Sequence, residues 1–196
     1  MASLSQHELD SMGFASLGEN LMISDRASFY NCSQISIGNN VRIDDYCVLS
    51  AGAGGIKIGN YVHIAVYASL IGAGKIIISD FCGISSHVSV YSSSDDYSGA
   101  AMTNPMVPAA FTNVTSSDVI LERHVIVGSG SVILPGVVIA EGAAIGALSL
   151  VREDCRAFGI YVGAPVRFIK ERKRDLLHLA SLLMSPRGHE QNSQRV

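Results

Sequence analysis

A chain of 196 residues that is 48% hydrophobic is long enough for one well-filled core and too short for two ordinary domains. Its formal net charge of -3 gives no positive excess to gather nucleic acid or an anionic membrane, so any anion site must be local. No apolar run approaches the roughly 20 residues that span a bilayer. The four cysteines, Cys32, Cys47, Cys82 and Cys155, lie too far apart for a CxxC pair or zinc-ligand spacing, so no metal is expected.

In chain order, Ser5-Gln6-His7-Glu8 fits a capping box opening a short helix, and residues 1–16 read as an N-terminal cap. The opening residues lack the basic start and apolar stretch of an export signal, which predicts a cytoplasmic protein. From Leu17 onward aliphatic residues recur every six positions. They are Leu17, Ile23 and Phe29, then Ile37, Ile43 and Leu49, then Ile58, Ile64 and Leu70, then Ile78, Ile84 and Val90. After a break the period resumes through Leu121, Val127, Ile133, Ile139, Ile145, Val151 and Ala157. A compact residue follows most anchors four positions later, as at Val41, Cys47, Val62, Ala68, Val125, Ser131 and Cys155.

One bulky and one small inward residue per six describes a short strand plus a corner, and three such units close a triangular coil that stacks on the next. The predicted fold is all-β, a parallel β-helix of about six turns over residues 17–165, with an aliphatic column inside. Gly and Asn after the anchor, as in Ile37-Gly38-Asn39 and Ile58-Gly59-Asn60, suit the sharp corners. The competing pattern, a sandwich of hairpins, needs longer alternation and turn signals about every 8–12 residues.

Residues 91–118 break the period with a polar loop, expected to leave the column and return to it. Residues 166–185 place Val166, Ile169, Leu176, Leu177, Ala180 and Leu183 at helical spacing, which predicts a C-terminal amphipathic helix capping the column. Residues 186–196 form a polar tail expected to be disordered.

The repeat, the loop and the closing run Gly163-Ala164-Pro165-Val166-Arg167-Phe168-Ile169-Lys170 together resemble the hexapeptide-repeat sugar O- and N-acetyltransferases related to galactoside and maltose acetyltransferases. Ser94-Asp95-Asp96-Tyr97-Ser98 looks like bacterial enzymes that decorate capsule or lipopolysaccharide sugars. The resemblance implies a left-handed β-helix and a homotrimer with sites between neighbouring columns. It also implies acetyl-CoA as co-substrate, with direct attack by a sugar hydroxyl or amine in a ternary complex.

In that family a histidine at the start of the loop takes the acceptor proton. Here Asp95 stands at that place, with Asp96 and Tyr97 beside it as substrate contacts. Asp95 serves either as a base, if burial raises its pKa, or as a group that binds and orients an amine. His63 falls near the family position where an acceptor-binding residue reaches in from the neighbouring column, and is the second catalytic candidate. A corner histidine at a subunit interface is the competing reading. His87, a further substrate-side candidate, and His124 occupy the fourth position of their hexads, a corner where solvated or interface roles compete.

The resemblance places an oxyanion-stabilising backbone N–H in Val127-Gly128-Ser129. Gly128, Ser129, Gly146 and Ala147 would form the pantetheine groove, with simple repeat packing as the alternative. Pro165, Arg167 and Lys170 fall where the family binds the CoA phosphates. Two other functions fit the fold. A γ-carbonic-anhydrase-like zinc enzyme needs a close histidine pair that is missing here. A non-catalytic assembly module would have little use for a loop bearing two acids.

Overall fold

The hexads fold into short parallel strands, because an inward aliphatic flanked by outward residues suits the pleat and each corner ends the strand after two to four residues. The computed structural model describes residues 2–185. Three parallel walls run the length of the column. The first has six strands from Ser16–Leu17 to Val138–Ile139, and the third has six from Ser28–Tyr30 to Leu150–Val151. The second has eight, from Met22–Ile23 through Ala144–Ile145 to Gly159–Val162 and Arg167–Glu171. Apart from Arg167–Glu171, which folds back antiparallel on Gly159–Val162, strand neighbours within a wall are parallel and one coil apart, giving six complete coils and the opening of a seventh.

The register stacks anchor on anchor. Ile37, Ile58, Ile78, Leu121 and Ile139 pair successively in the first wall, and Ile43, Ile64, Ile84, Val127 and Ile145 in the second. All ten are buried, and each such side chain contributes about 1.5–3 kcal/mol relative to exposure. The compact residues Val41, Cys47, Val62, Ala68, Val125 and Ser131 are buried between them. Burial pushes the Cys47 and Cys155 thiols up to about 11 and Cys82 up to about 12, so all three stay protonated.

The fourth residue of many hexads is left-handed. Tyr46, Tyr67 and His87 take φ near +61° at one corner, and Tyr61, Phe81 and His124 take φ of +56° to +64° at another. A side chain there costs about 1–2 kcal/mol of strain, offset because coil stacking brings the rings face to face. Tyr46–Tyr67 and Tyr67–His87 stack at 5.0 and 4.9 Å, and Tyr61–Phe81 and Phe81–His124 at 5.1 and 4.8 Å.

At the N-terminus, helix α1 (Gln6–Ser11) carries the expected capping box and drives Leu9 into the first coil. The loop leaves after Ser89–Tyr91 and is closed at its base by an antiparallel pair, Ser93 opposite Ser116 and Ser94 opposite Thr115.

The C-terminal end differs from expectation in two ways. After Val151 the next inward position is Cys155, which bridges to Ile139, while Ala157 faces outward and Phe158 is buried with its ring over Gly142. The six-residue step fails because the last coil is being closed by a large ring rather than continued. The helix expected over 166–185 is instead a strand followed by a shorter helix. Arg167–Glu171 pairs antiparallel with Gly159–Val162, and only Asp175–Leu183 (α2) is helical. The edge of Gly159–Val162 offers unpaired N–H and C=O groups that a returning strand satisfies, and this overrides the apolar spacing of Val166 and Ile169. No residue of α2 is buried, so the hairpin, not the helix, caps the column. The tail expected at 186–196 lies outside the described residues.

Candidate active site

Asp95 is the first residue past the antiparallel pair that closes the loop, so its carboxylate is held at the edge of the column rather than carried on a free tether. It is exposed and lines a cavity of about 510 Å³ with Asn104, Pro105, Met106, Val107 and Val114. Asp96 points elsewhere. Its carboxylate accepts from the backbone N–H of Ser98 at 2.9 Å and of Ala101 at 2.8 Å. Hydrogen bonds from Ser98, and then from Ala101, hold Asp96 below its usual value. Its geometry is that of a residue folding the loop. Tyr97 is 93% exposed and projects from the loop without cover.

At the other end of the strand Ser89–Tyr91 lies the corner between the second and third walls. The residues just past the second-wall anchors, Asp44, Ala65, Ser85, Gly128 and Gly146, stack in one row there. The N–H of Gly128 is already given to the Ile145 carbonyl at 2.7 Å, and that of Gly146 to Tyr161 at 2.8 Å. Among the described residues the N–H groups of Ser129 and Ala147 donate to no backbone acceptor, so within Val127-Gly128-Ser129 the free donor is Ser129. Glycine at 128 and 146 also answers to packing. A Cβ on Gly128 would meet the Ala147 nitrogen at 2.5 Å, and one on Gly146 would meet Val162 Cγ1 at 2.5 Å. Repeat packing therefore accounts for glycine at both positions.

His63 is on the outer face of the second wall, in a cavity of about 430 Å³ with Arg42, Tyr61, Phe81, His124 and Arg172. Its Nε2 lies 2.8 Å from Asp44 Oδ2, while Arg42 Nε donates to Asp44 Oδ1 at 2.7 Å. Burial pushes the Asp44 carboxyl up, but the hydrogen bonds from His63 and Arg42 outweigh it and hold the group below the carboxylate range. Asp44 thus orients the His63 ring. Within one chain His63 and Asp95 line different cavities. His87 is the exposed end of the Tyr46–Tyr67–His87 stack, and His124 is buried under Phe81, where burial lowers its pKa.

Pro165 is half-buried in the hairpin turn, and Arg167 and Lys170 project from the exposed strand Arg167–Glu171. They stand two strands beyond Ala144–Ile145, the strand that leads into Gly146. No group of three His, Cys, Asp or Glu side chains among the described residues is arranged to hold a metal ion. No helix among them is long and apolar enough to cross a membrane.

No family model matches the chain. The dTDP-4-amino-4,6-dideoxy-D-glucose acyltransferase of Escherichia coli is 59% identical to it over 182 residues, which cover 93% of this chain and 95% of that protein. The chain belongs to the hexapeptide-repeat sugar acyltransferases. It is an enzyme of acyl transfer, as the loop and its acid predicted, and not an assembly module.

This acyltransferase is also similar to AntD, an N-acyltransferase from Bacillus cereus. AntD solved with dTDP and 3-hydroxybutyryl-CoA is 49% identical, with TM-score 0.89 over 93% of this chain and 96% of that one. A serine-to-alanine variant solved with dTDP-4-amino-4,6-dideoxyglucose and coenzyme A is 48% identical, with TM-score 0.89 over 93% and 97%. AntD has also been solved with an aspartate replaced ten positions beyond that serine. Ser85 and Asp95 have the same spacing here. Sequence reading passed over Ser85. Its signal was a hydroxyl one position past an anchor, in the row that holds Gly128 and Gly146.

Proposed function

We propose that this acyltransferase moves the acetyl group of acetyl-CoA to the amino group of a dTDP-linked 4-amino-4,6-dideoxy sugar. The observation that carries the reading is the exposed Asp95, which follows the loop's closing strand pair and lines the loop cavity, in a chain 59% identical to an acyltransferase for that sugar. Asp95 accepts a hydrogen bond from the amine and aims its lone pair at the thioester carbon. An amine needs no full proton removal before attack, so a carboxylate suffices where a hydroxyl acceptor would call for histidine. The C–N bond forms, the carbonyl oxygen takes the negative charge under the Ser129 N–H, and collapse breaks the C–S bond. The surplus amine proton passes through Asp95 to the departing sulfur.

The pantetheine arm lies along the corner of Gly128, Ser129, Gly146 and Ala147, pairing with the free N–H groups of Ser129 and Ala147. Arg167 and Lys170, beside Pro165, take the CoA phosphates. Tyr97 and His87 border the acceptor. Ser85 and Asp95 sit at opposite ends of the strand Ser89–Tyr91, so a site that uses both is completed by a second copy. This supports a homotrimer with His63, oriented by Asp44, facing a neighbour's acceptor. Four free cysteines, three of them buried, fit work in the reducing cytoplasm.

The test is thiol release from acetyl-CoA with dTDP-4-amino-4,6-dideoxyglucose and other nucleotide-sugars, for the wild type, Asp95→Asn, Asp95→Ala and His63→Ala. Turnover with the amino sugar that collapses in both Asp95 variants supports the reading. Loss in His63→Ala alone moves the base to the neighbouring column. Turnover only with hydroxyl acceptors refutes it.

A further inference from the structure

The cavity that Asp95 lines is mostly apolar, with Asn104 and Thr112 as its other polar side chains. Ser93 and Ser94 pair antiparallel with Ser116 and Thr115, so the next opposed positions are Asp95 and Val114. Cross-strand neighbours hold their Cβ atoms about 4.5–5.5 Å apart, and both side chains line the same cavity of about 510 Å³ with Met106 and Val107. Val114 is 53% exposed and Met106 90% exposed, so their own chain does not cover them. A carboxylate beside an uncovered apolar wall matches a ligand with a cationic or donating group next to an apolar one.

We infer that Val114 is a specificity-determining residue that seats the methyl group vicinal to the acceptor amine, and so selects 6-deoxy over 6-hydroxy amino sugars. The inference rests on the function proposed above. In a 4-amino-4,6-dideoxyhexose the carbon next to the amine-bearing carbon carries a methyl group in place of a hydroxymethyl. With the amine on Asp95, that substituent lies toward Val114 and Met106. Asn104 and Thr112 also line the cavity, but a hydroxyl seated between the Val114 and Met106 side chains gives up water without gaining a hydrogen bond from either. Because a second copy brings its Gly128 and Gly146 corner to this loop, the acyl chain also reaches the neighbourhood of Asp95, and varying the acyl-CoA chain length tells an acyl-chain wall from an acceptor wall.

The experiment compares kcat/KM for dTDP-4-amino-4,6-dideoxyglucose and its 6-hydroxy counterpart, each with acetyl-CoA and with butyryl-CoA, in the wild type, Val114→Thr and Val114→Ala. The expected wild-type preference for the 6-deoxy acceptor is about 10-fold or more, in the range one substituent gives in an apolar pocket. Val114→Thr, which keeps the β-branched shape, is expected to narrow that preference by about 3-fold or more, and Val114→Ala to lower kcat/KM mainly for the 6-deoxy acceptor. The inference is overturned if both variants scale the two acceptors equally, since Val114 then only props the loop. A changed acetyl-to-butyryl ratio with the acceptor ratio constant also overturns it, by assigning the wall to the acyl chain. Equal wild-type rates on both acceptors sink this inference and leave the proposed function standing. Transfer to neither acceptor removes both.

Discussion

Replacing Phe81 by alanine and by glycine separates the two forces that hold the corner ladder. The ring is half-buried between Tyr61 at 5.1 Å and His124 at 4.8 Å, with interplanar angles of 11° and 4°. Losing two stacks costs about 2 kcal/mol, and losing the burial of half an aromatic side chain costs about 1 kcal/mol more. Phe81→Ala should therefore destabilise by about 3 kcal/mol on these contributions. The φ of Phe81 is +62°, so alanine keeps the Cβ strain without the stacking that offsets it. Glycine removes that strain and gives some of the gain back as unfolded-chain entropy, a net return of about 1 kcal/mol. Phe81→Gly should lose about 2 kcal/mol by the same reasoning and melt about 2–4 °C above Phe81→Ala. Scanning calorimetry of both variants at equal concentration and neutral pH reads the difference. An alanine variant that melts at or above the glycine variant would refute the balance of strain against stacking.

Burial lowers the His124 pKa, so the folded chain binds fewer protons there than the unfolded chain, and stability falls as pH drops below about 6.5 toward the depressed folded value. His124→Phe keeps the stack and removes the titration, and its melting temperature should lose less than the wild type's between pH 7.5 and 5.5. The Asp44 carboxyl is depressed, so its contribution is complete above about pH 4 and disappears as pH falls through the folded value. The melting-temperature gap between the wild type and Asp44→Asn should therefore hold from pH 7 to 5 and close below pH 4. Asp96→Ala frees the N–H groups of Ser98 and Ala101, so limited proteolysis should cut the loop faster while the column's melting temperature changes little. Gly128→Ala drives a Cβ against the backbone of the next coil, and kcat/KM should fall about 10- to 100-fold as the Ser129 donor shifts, read from thiol release.

Ile43, Ile64, Ile84, Val127 and Ile145 are six-residue anchors in the sequence and a buried stack in the structure. Period and stacking coincide because each coil contacts only its neighbours, so a local pattern repeated is the whole fold. The loop was legible as a break in that period, and Asp95 as an acid at its start. What depended on long-range placement was not legible. Apolar spacing around Val166 and Ile169 suggested a helix, but an open sheet edge drew Arg167–Glu171 into a strand. The stretch Val127-Gly128-Ser129 was legible as an oxyanion donor only through the resemblance, and the stacked coil is what shows the Gly128 N–H spent on Ile145 and the Ser129 N–H free of backbone acceptors. The opposition of Val114 to Asp95 spans residues far apart in sequence, and no periodicity records it. The column is written in the order of residues, because burial of one aliphatic per hexad is a short-range rule. The tertiary structure alone decided which donors, acids and apolar walls face the cavities, because that depends on which backbone groups the neighbouring coils have already consumed.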